Sequence, residues 1–546
     1  MTRNPSLPRI CISATGRTPA ELFDCARRAL EYSRFVELRL DWVARPTEAL
    51  GLIPDLSWET VRVSEGGGIL LATCRREANG GRFRGTLSKQ MEILEQAADL
   101  GCDLVDLEIE SAEAAGEEAV ARLRKAALLI LSFHDFEKMP RLESVARRLR
   151  CFPADYYKIV GTARRQSDNC AALEFLTKVN GKGGESGRWI AFCMGEIGIP
   201  SRIFALSRGS PFVFASCPPK ASELNHPREP NLPKEPSKPR EPNGPAAPGQ
   251  LDWETLRDRY RAGKLTRRSA LYGLVGCPVR HSIGAAIHNA AFQARGLDAV
   301  YVPLLVSDLK DFCKAAERYP LAGFSVTIPH KQRILRWVDK ADHAVRAAGA
   351  ANTIRNRRNR WEAINTDVEG IIAPVRRALR LREREPLPAD FRAVIVGNGG
   401  AARAALVALR ELHCRAISIT GRNPAKVNRF AHELGAQAIP MAQLERERFD
   451  LLVHTTPVGM WPRADECVLL PEQINARVVF DLIYNPPETR LLELARTRGC
   501  RTISGLEMFL AQAARQFEYW TGLEPPVRLM KRVALEELRR LTHRGA

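Results

Sequence analysis

Eight short apolar runs recur between residues 9 and 215, each parted from the next by a helix-like stretch, and this alternation restricts the fold more than any other feature. The runs are 9–13, 35–40, 69–73, 104–109, 128–133, 156–160, 189–194 and 211–215. Helical candidates at 19–32, 88–100 and 117–125 lie between them. Eight strand–helix units in this length suit a (β/α)8 barrel, with a doubly wound sheet as the alternative that periodicity alone allows. In a barrel the polar residues at strand ends matter, because active sites open at the C-terminal face.

Three strand ends carry such residues. Val36-Glu37-Leu38-Arg39-Leu40-Asp41 alternates apolar and charged, so Glu37, Arg39 and Asp41 are expected on one face. His134 is expected just past the run 128–133, and Lys158 lies inside the run 156–160. A lysine buried in an apolar strand is costly when charged, so burial lowers its pKa and makes it nucleophilic. A lysine snorkelling at a barrel rim is the structural alternative.

A second α/β region carries a different signature. Gly397-Asn398-Gly399-Gly400-Ala401-Ala402 follows the apolar run 393–396 and opens a helix-like stretch. Strand, glycine turn and helix N-terminus make a pyrophosphate cradle, because glycines allow close backbone approach and unpaired N–H groups face the anion. The next strand-like run, 416–420, ends in Gly421-Arg422, with Lys426 one helical turn on. An NAD-selective site usually places Asp or Glu there; two cations suit a 2′-phosphate instead, which points to NADP.

The chain of 546 residues is long enough for two or three domains with their own cores. Residues 218–248 interrupt the pattern, with prolines among Lys, Arg, Glu and Asn and almost no apolar side chains. Such a stretch is expected to be extended or disordered. The thirteen Cys include no C-x-x-C pair, so neither a zinc site nor a disulfide framework is indicated, which fits the cytoplasm. No apolar run approaches a membrane span and residues 1–12 lack a signal-peptide core. The net charge of +19 is spread along the chain, which favours focusing of anionic small molecules over nucleic-acid binding.

The segments VELRLDW, LATCRREANGGRF, LILSFHDFEKMP, YYKIVGTA and MGEIGIPSRI stand in an order and spacing that closely resemble type I 3-dehydroquinate dehydratase over residues 8–216. The resemblance implies that Lys158 forms a Schiff base with the ketone of 3-dehydroquinate and that His134 is the general acid–base. It implies Arg202 as the carboxylate clamp and Glu37, Arg39 and Arg75 as further substrate contacts. Two positions depart from the family. Its carboxylate supporting the catalytic histidine is Asn79 here, from which a slower dehydratase is expected, with Asn79 still orienting His134; Glu77 is expected to substitute only after loop rearrangement. Its loop-closing Pro-Gly-Gln element appears as Pro248-Gly249-Gln250, after the Pro-rich stretch. Residues 217–246 are therefore read as an insertion in the loop that closes the barrel, and the helix-like 251–263 as the junction.

GCPVRHS (276–282), GFSVTIPHK (323–331), AANT (350–353), NTD (365–367), GNGGAA, HTTPVGM, DLIYNPPET and GLEMFLAQAARQF resemble shikimate dehydrogenase from about residue 271 to 522. This resemblance implies Lys331 and Asp367 as the catalytic pair. Ser282, Thr327, Asn352, Tyr484 and Gln512 match substrate-holding residues, and Gly397, Gly399, Gly400, Ala401, Arg422, Lys426, Thr455, Gly505 and Met508 fall on the cofactor side. The family's Ser-x-Ser pair reads Ser282-Ile283-Gly284, which makes quinate an alternative substrate.

The expected architecture is α/β throughout: a barrel over 1–263, then a two-lobed dehydrogenase over 264–546. The latter comprises a substrate lobe at about 271–373, a Rossmann-type NADP lobe at about 392–504 and C-terminal helices over 506–546. The expected function is two consecutive steps of the shikimate pathway, dehydration of 3-dehydroquinate and NADPH-dependent reduction of the product. The rivals are a fused quinate/shikimate dehydrogenase of quinate metabolism and a weakened sensor that keeps its ligand sites. Expected partners are the small-molecule substrates, with no nucleic acid and no membrane.

Overall fold

The computed structural model describes residues 7–56, 68–181, 185–218, 247–280 and 282–545, and the chain divides into two compact units. The Pro-rich stretch falls almost wholly outside the described residues, as does His281. The first unit reaches Ser269 and also takes in Val302–Pro320; the second comprises Ala270–Tyr301 and the chain from Leu321 on.

The first unit holds eight strands: β1 (Ile10–Ala14), β2 (Phe35–Arg39), β3 (Ile69–Thr73), β4 (Leu104–Glu108), β5 (Leu128–Asp135), β6 (Tyr156–Thr162), β7 (Trp189–Met194) and β8 (Val213–Ser216). They run in the order β7-β6-β5-β4-β3-β2-β1-β8, all parallel, so the barrel is nearly closed and the doubly wound alternative is excluded. Helices such as α1 (Pro19–Tyr32), α2 (Leu87–Asp99) and α3 (Ile109–Ala115) connect them. Thr18 caps α1 by accepting from the Glu21 N–H, and Pro19 starts the helix where its missing N–H costs nothing.

Period 2 sorts the barrel interior into layers. Phe35, Ile69, Leu71, Leu104, Ile130 and Tyr156 belong to an apolar floor. Two residues further along the same strands stand Glu37, Thr73, Asp106, Ser132 and Lys158, every one buried. The floor excludes water beneath the polar layer, so its charges must find partners within it.

Two further sheets follow in the chain. The first has the order β10-β9-β11-β13-β14-β12, built from β9 (Ala270–Gly276), β10 (Ala299–Leu305), β11 (Leu321–Val326), β12 (Lys340–Ala341), β13 (Thr353–Arg357) and β14 (Arg360–Ile364). β11 pairs with β9 in parallel and with β13 antiparallel, and β13–β14 is a hairpin turned by Arg358 and Asn359, both at positive φ. Helix α4 (Gly284–Ala294) follows β9, and α5 (Thr366–Leu379) leads out of this lobe.

The other sheet has the order β17-β16-β15-β18-β19-β20 and is parallel throughout. Its strands are β15 (Arg392–Val396), β16 (Ala416–Thr420), β17 (Gln437–Ala438), β18 (Phe449–His454), β19 (Ala476–Asp481) and β20 (Arg501–Ile503). This is the 3-2-1-4-5-6 order of a dinucleotide fold, whose ligand crevice lies where the order reverses, between β15 and β18. Helix α6 (Gly400–Glu411) follows β15 and α7 (Pro424–Glu433) follows β16. Helix α8 (Gly505–Thr521) returns to the first lobe, where the Trp520 Nε1–H donates to the Ile354 carbonyl at 2.9 Å; α9 (Val527–Gly545) ends the chain.

Two expectations change. β5 extends through Asp135, so His134 is its penultimate residue rather than lying beyond it. The stretch 251–263 is not a regular helix: Ser216 bridges Asp252, Thr255–Arg259 forms a π-turn and Ala262–Lys264 a 3-10 turn. Its apolar Trp253, Leu256 and Tyr260 are all buried, and this packing overrides a uniform helical period.

Candidate active sites

The barrel cavity brings together Glu37, Arg39, Arg75, His134, Lys158, Arg202 and Gln250. Lys158 lies at its floor, with its Nζ donating to Asp106 Oδ2 and resting 4.4 Å above the Phe214 ring. Asp106 also accepts from Ser132 Oγ at 2.6 Å and from the Arg75 guanidinium at 3.1 Å. Burial opposes the charge on Asp106, but Lys158 and Arg75 outweigh it and hold the carboxyl below its usual range. Burial in turn lowers the Lys158 pKa, with Asp106 pulling the other way. Lys158 is thus the buried, oriented amine of the functional reading and not a rim lysine.

The remaining contacts fix the walls. Glu37 accepts from Ser13 Oγ at 2.5 Å and Thr73 Oγ1 at 2.8 Å, while Arg39 forms a two-pronged pair with Asp41 at 2.9 and 2.8 Å. Arg202 donates to the Pro248 carbonyl at 3.1 Å, which also accepts from the Gly195 N–H at 3.1 Å. Gln250 Nε2 donates to Ser13 Oγ at 3.2 Å. The Pro248–Gln250 element therefore sits at the cavity. Burial lowers the Arg202 pKa to about 10, and among the described residues its Nε has no partner, so an anion is the natural complement.

His134 is held well below its ordinary pKa by burial, with the Arg75 and Lys158 charges adding to the effect. Its Nδ1 has no partner among the described residues. Asn79 does not orient it: the Asn79 amide donates to Glu110 Oε2 at 3.0 Å. Glu77 is turned outward in an exposed pair with Arg84. Sequence reasoning missed Asp106 and Ser132, although Leu104, Asp106 and Glu108 carry the same period-2 signal that exposed Glu37 and Arg39.

In the second unit, Lys331 Nζ and Asp367 Oδ2 are 2.5 Å apart. Asp367 stands in the first turn of α5, capped by Asn365 Oδ1, where the helix dipole favours a carboxylate. The Asn352 amide lies 2.8 Å from Asp367 Oδ1 and 3.1 Å from Gln512 Oε1. Ser282 is half-buried and accepts from the Gly284 N–H at 3.2 Å. Thr327 lies just past the end of β11, four residues before Lys331, and the Tyr484 ring packs tilted against Phe509 at 4.4 Å. Thr366 and Gln516 join this network, although the sequence motifs that contain them gave neither a role. Gln516 follows Gln512 by four residues and so shares its helix face.

The glycine turn fits a dinucleotide. Gly397 has φ +124°, and a Cβ there would meet Thr455 Oγ1 at 2.3 Å. A Cβ on Gly399 would meet nothing within 4 Å, and one on Gly400 only the Lys331 side chain at 3.6 Å. Gly399 and Gly400, followed by Ala401, thus leave the N-terminus of α6 open beside Lys331. Arg422, just past β16, and Lys426, in the first turn of α7, are both exposed with no acid in their place, which suits a 2′-phosphate. Gly505 lies against the Ile483 carbonyl, 2.3 Å from where its Cβ would stand, and Met508 packs in the core against Gly370. Among the described residues no cluster of His, Cys, Asp or Glu could hold a metal ion, and no helix is long and apolar enough to cross a membrane.

Comparison with known proteins gives a family for each unit. Residues 10–266 match the family model of type I 3-dehydroquinase. Residues 274–354 match the shikimate dehydrogenase substrate-binding domain, 383–458 shikimate/quinate 5-dehydrogenase, and 505–535 the shikimate 5-dehydrogenase C-terminal domain. A chloroplastic bifunctional 3-dehydroquinate dehydratase/shikimate dehydrogenase of Arabidopsis thaliana is 29% identical over 97% of this chain and 84% of its own. The NADP(+) shikimate dehydrogenase of Moorella thermoacetica is 38% identical over 50% of this chain and 94% of its own. That of Methanopyrus kandleri is 41% identical over 49% and 95%. A solved shikimate dehydrogenase in complex with NADP+ is 33% identical over 50% of this chain and 97% of its own, with TM-score 0.45. The chain belongs to the type I 3-dehydroquinate dehydratase family through its first unit and to the shikimate dehydrogenase family through its second.

Proposed function

We propose that this protein dehydrates 3-dehydroquinate in its barrel and reduces the resulting 3-dehydroshikimate to shikimate, with NADPH, in its second unit. The observation that carries the reading is a pair of lysine–carboxylate contacts, Lys158–Asp106 and Lys331–Asp367, each in a site built for an anionic, hydroxylated ring.

In the first reaction the Lys158 amine attacks the substrate ketone, and loss of water from the carbinolamine leaves an iminium. The iminium withdraws electrons and acidifies the neighbouring C–H. His134, neutral because its pKa is depressed, takes that proton and returns one to the departing hydroxyl, so water leaves and a ring double bond forms. Water then hydrolyses the iminium and frees Lys158. Arg202 clamps the substrate carboxylate, and Glu37, Arg39, Arg75 and Gln250 hold the ring.

In the second reaction NADPH supplies the hydride. Gly397, Gly399, Gly400 and Ala401 would hold its pyrophosphate, Arg422 and Lys426 its 2′-phosphate, and Thr455, Gly505 and Met508 the rest of the cofactor side. Lys331 places a proton at the carbonyl oxygen, and Asp367 orients the lysine. Ser282, Thr327, Asn352, Tyr484 and Gln512 bind the carboxylate and ring hydroxyls. Among the described residues the cysteines form no disulfide, which supports placement in a reducing compartment such as the cytoplasm.

The test is to give the purified chain 3-dehydroquinate and NADPH and follow nicotinamide absorbance. Oxidation that either Lys158→Ala or Lys331→Ala abolishes is expected. A wild-type chain that oxidises no NADPH, from 3-dehydroquinate or from 3-dehydroshikimate, would sink the proposal.

A further inference from the structure

A continuous line of buried hydrogen bonds runs from Asp367 through the core of the substrate lobe to Tyr301. Asn352 Nδ2 lies 2.8 Å from Asp367 Oδ1, and Thr353 Oγ1 lies 2.8 Å from Asn352 Oδ1. Gln516 Nε2 reaches Thr353 Oγ1 at 3.0 Å, Ser325 Oγ reaches Gln516 Oε1 at 3.0 Å, and Tyr301 OH reaches Ser325 Oγ at 2.9 Å. All six side chains are buried, so no member can turn to solvent for a partner.

Donor and acceptor inventory gives this line a direction. An ionised carboxylate only accepts, so Asn352 must turn its NH2 toward Asp367 and its Oδ1 away. A backbone group agrees independently: the Thr366 N–H, which can only donate, meets Asn352 Oδ1 at 2.8 Å. Thr353 must then donate to Oδ1, which leaves its oxygen to accept from the Gln516 amide. Gln516 in turn presents its carbonyl to the Ser325 hydroxyl, and Ser325 accepts from Tyr301. Burial raises the Tyr301 pKa, so the phenol keeps the proton it donates. Any single reversal sets two donors or two acceptors face to face.

We propose that Thr353 is a positioning residue of the second reaction. Its proton, directed by Gln516, locks the Asn352 amide with its NH2 on Asp367 and Gln512. Without it Asn352 Oδ1 keeps only the Thr366 N–H and hydroxyl, so the amide is held less firmly and Asp367 is placed less well against Lys331. Thr353 itself touches neither Lys331 nor Asp367 among the described contacts, and it acts through Asn352.

This inference rests on Lys331 and Asp367 being the reacting pair, so the wild-type chain is first assayed with 3-dehydroshikimate and NADPH. Absence of activity there refutes the proposed function, whereas ratios between variants judge the relay alone. Thr353→Val, which keeps the shape and removes the hydroxyl, is expected to lower kcat about tenfold through misplacement of the pair, with KM for NADPH unchanged. Thr353→Ser restores the hydroxyl and is expected to restore kcat. Gln516 supplies a second test that does not depend on Thr353→Val folding. Gln516→Glu can only accept, so it takes the Thr353 proton from Asn352 and lowers kcat as far; Gln516→Met leaves that proton on Asn352 and is milder. Wild-type kcat in Thr353→Val, a Thr353→Ser chain as slow as Thr353→Val, or a Gln516→Met chain as slow as Gln516→Glu would each overturn the proposal.

Discussion

Asn79 donates to Glu110 Oε2 at 3.0 Å and so faces helix α3, leaving the buried Nδ1 of His134 without a partner among the described residues. An imidazole unanchored at Nδ1 is free to adopt either tautomer, and only one presents the right nitrogen to the substrate. A carboxylate at position 79 would anchor it, but in place of Asn79 it would also meet Glu110. The double variant Asn79→Glu with Glu110→Gln removes that repulsion. Its dehydratase kcat is expected to rise about tenfold, a barrier change of ~1.4 kcal/mol, with Asn79→Glu alone gaining less. A double variant no faster than wild type in steady-state dehydration would show that the missing carboxylate does not limit the rate.

The strands of the barrel were legible because period 2 and period 3.6 do not mix, and Lys158 stood out as a charge inside a buried run. The dinucleotide turn was legible for a similar reason: backbone geometry there demands glycine, and Gly397 cannot carry a Cβ beside Thr455. What stayed hidden depends on side-chain choice between partners distant in sequence. Nothing local to Asn79 says that Glu110, 31 residues on, outcompetes His134. Gln516 likewise gains its meaning only when α8 returns to lie against Ser325 and Thr353. The stretch 251–263 is helical only in part, because burying Trp253, Leu256 and Tyr260 together widens the turn at Thr255–Arg259 and ends it at Tyr260.

Arg422 and Lys426 are exposed, so their replacement is expected to spare the fold and change only the cofactor. Arg422→Asp with Lys426→Ala removes both cations and supplies an acceptor for a ribose 2′-hydroxyl. KM for NADPH is expected to rise at least about tenfold and KM for NADH to fall, with Tm within a degree or two of wild type. Equal losses for both cofactors would place the 2′-phosphate elsewhere.

Gly284 opens α4 with ordinary helical geometry, and a Cβ there would lie 3.2 Å from Ser282 Oγ and 3.6 Å from Tyr301 OH. Both neighbours are side-chain atoms, and the Ser282 hydroxyl can rotate away. Gly284→Ser is therefore expected to fold normally, fill the niche and add a second hydroxyl beside Ser282. If that niche receives the substrate carboxylate, the ratio of kcat/KM for shikimate over quinate rises by the worth of one hydrogen bond, about 1–3 kcal/mol. An unchanged ratio would mean that position 284 does not touch the ring.

His288 gives the second unit a pH dependence whose sign follows from its surroundings. Its ring is buried against Tyr301 at 4.6 Å and Trp520 at 5.2 Å, and among the described residues its Nδ1 has no partner to accept a second proton. Burial lowers its pKa from 6.5 to about 4, with a bond to Gln516 acting weakly against the shift. Above pH 6.5 the imidazole is neutral in folded and unfolded chains alike, and it contributes nothing. Between 6.5 and about 4 the unfolded chain binds a proton that the folded chain refuses, so stability falls as the solution becomes more acid. The full loss is about 3 kcal/mol, from a shift of roughly 2.5 units at 1.36 kcal/mol each. Denaturant unfolding of wild type and His288→Phe across pH 4–8 isolates this residue, because every other titrating group is common to both chains. The stability difference between the two is expected to be constant above pH 6.5 and to shift by up to that amount in favour of His288→Phe toward pH 4. Parallel curves throughout would show that His288 takes its proton in the folded protein as readily as in the unfolded one.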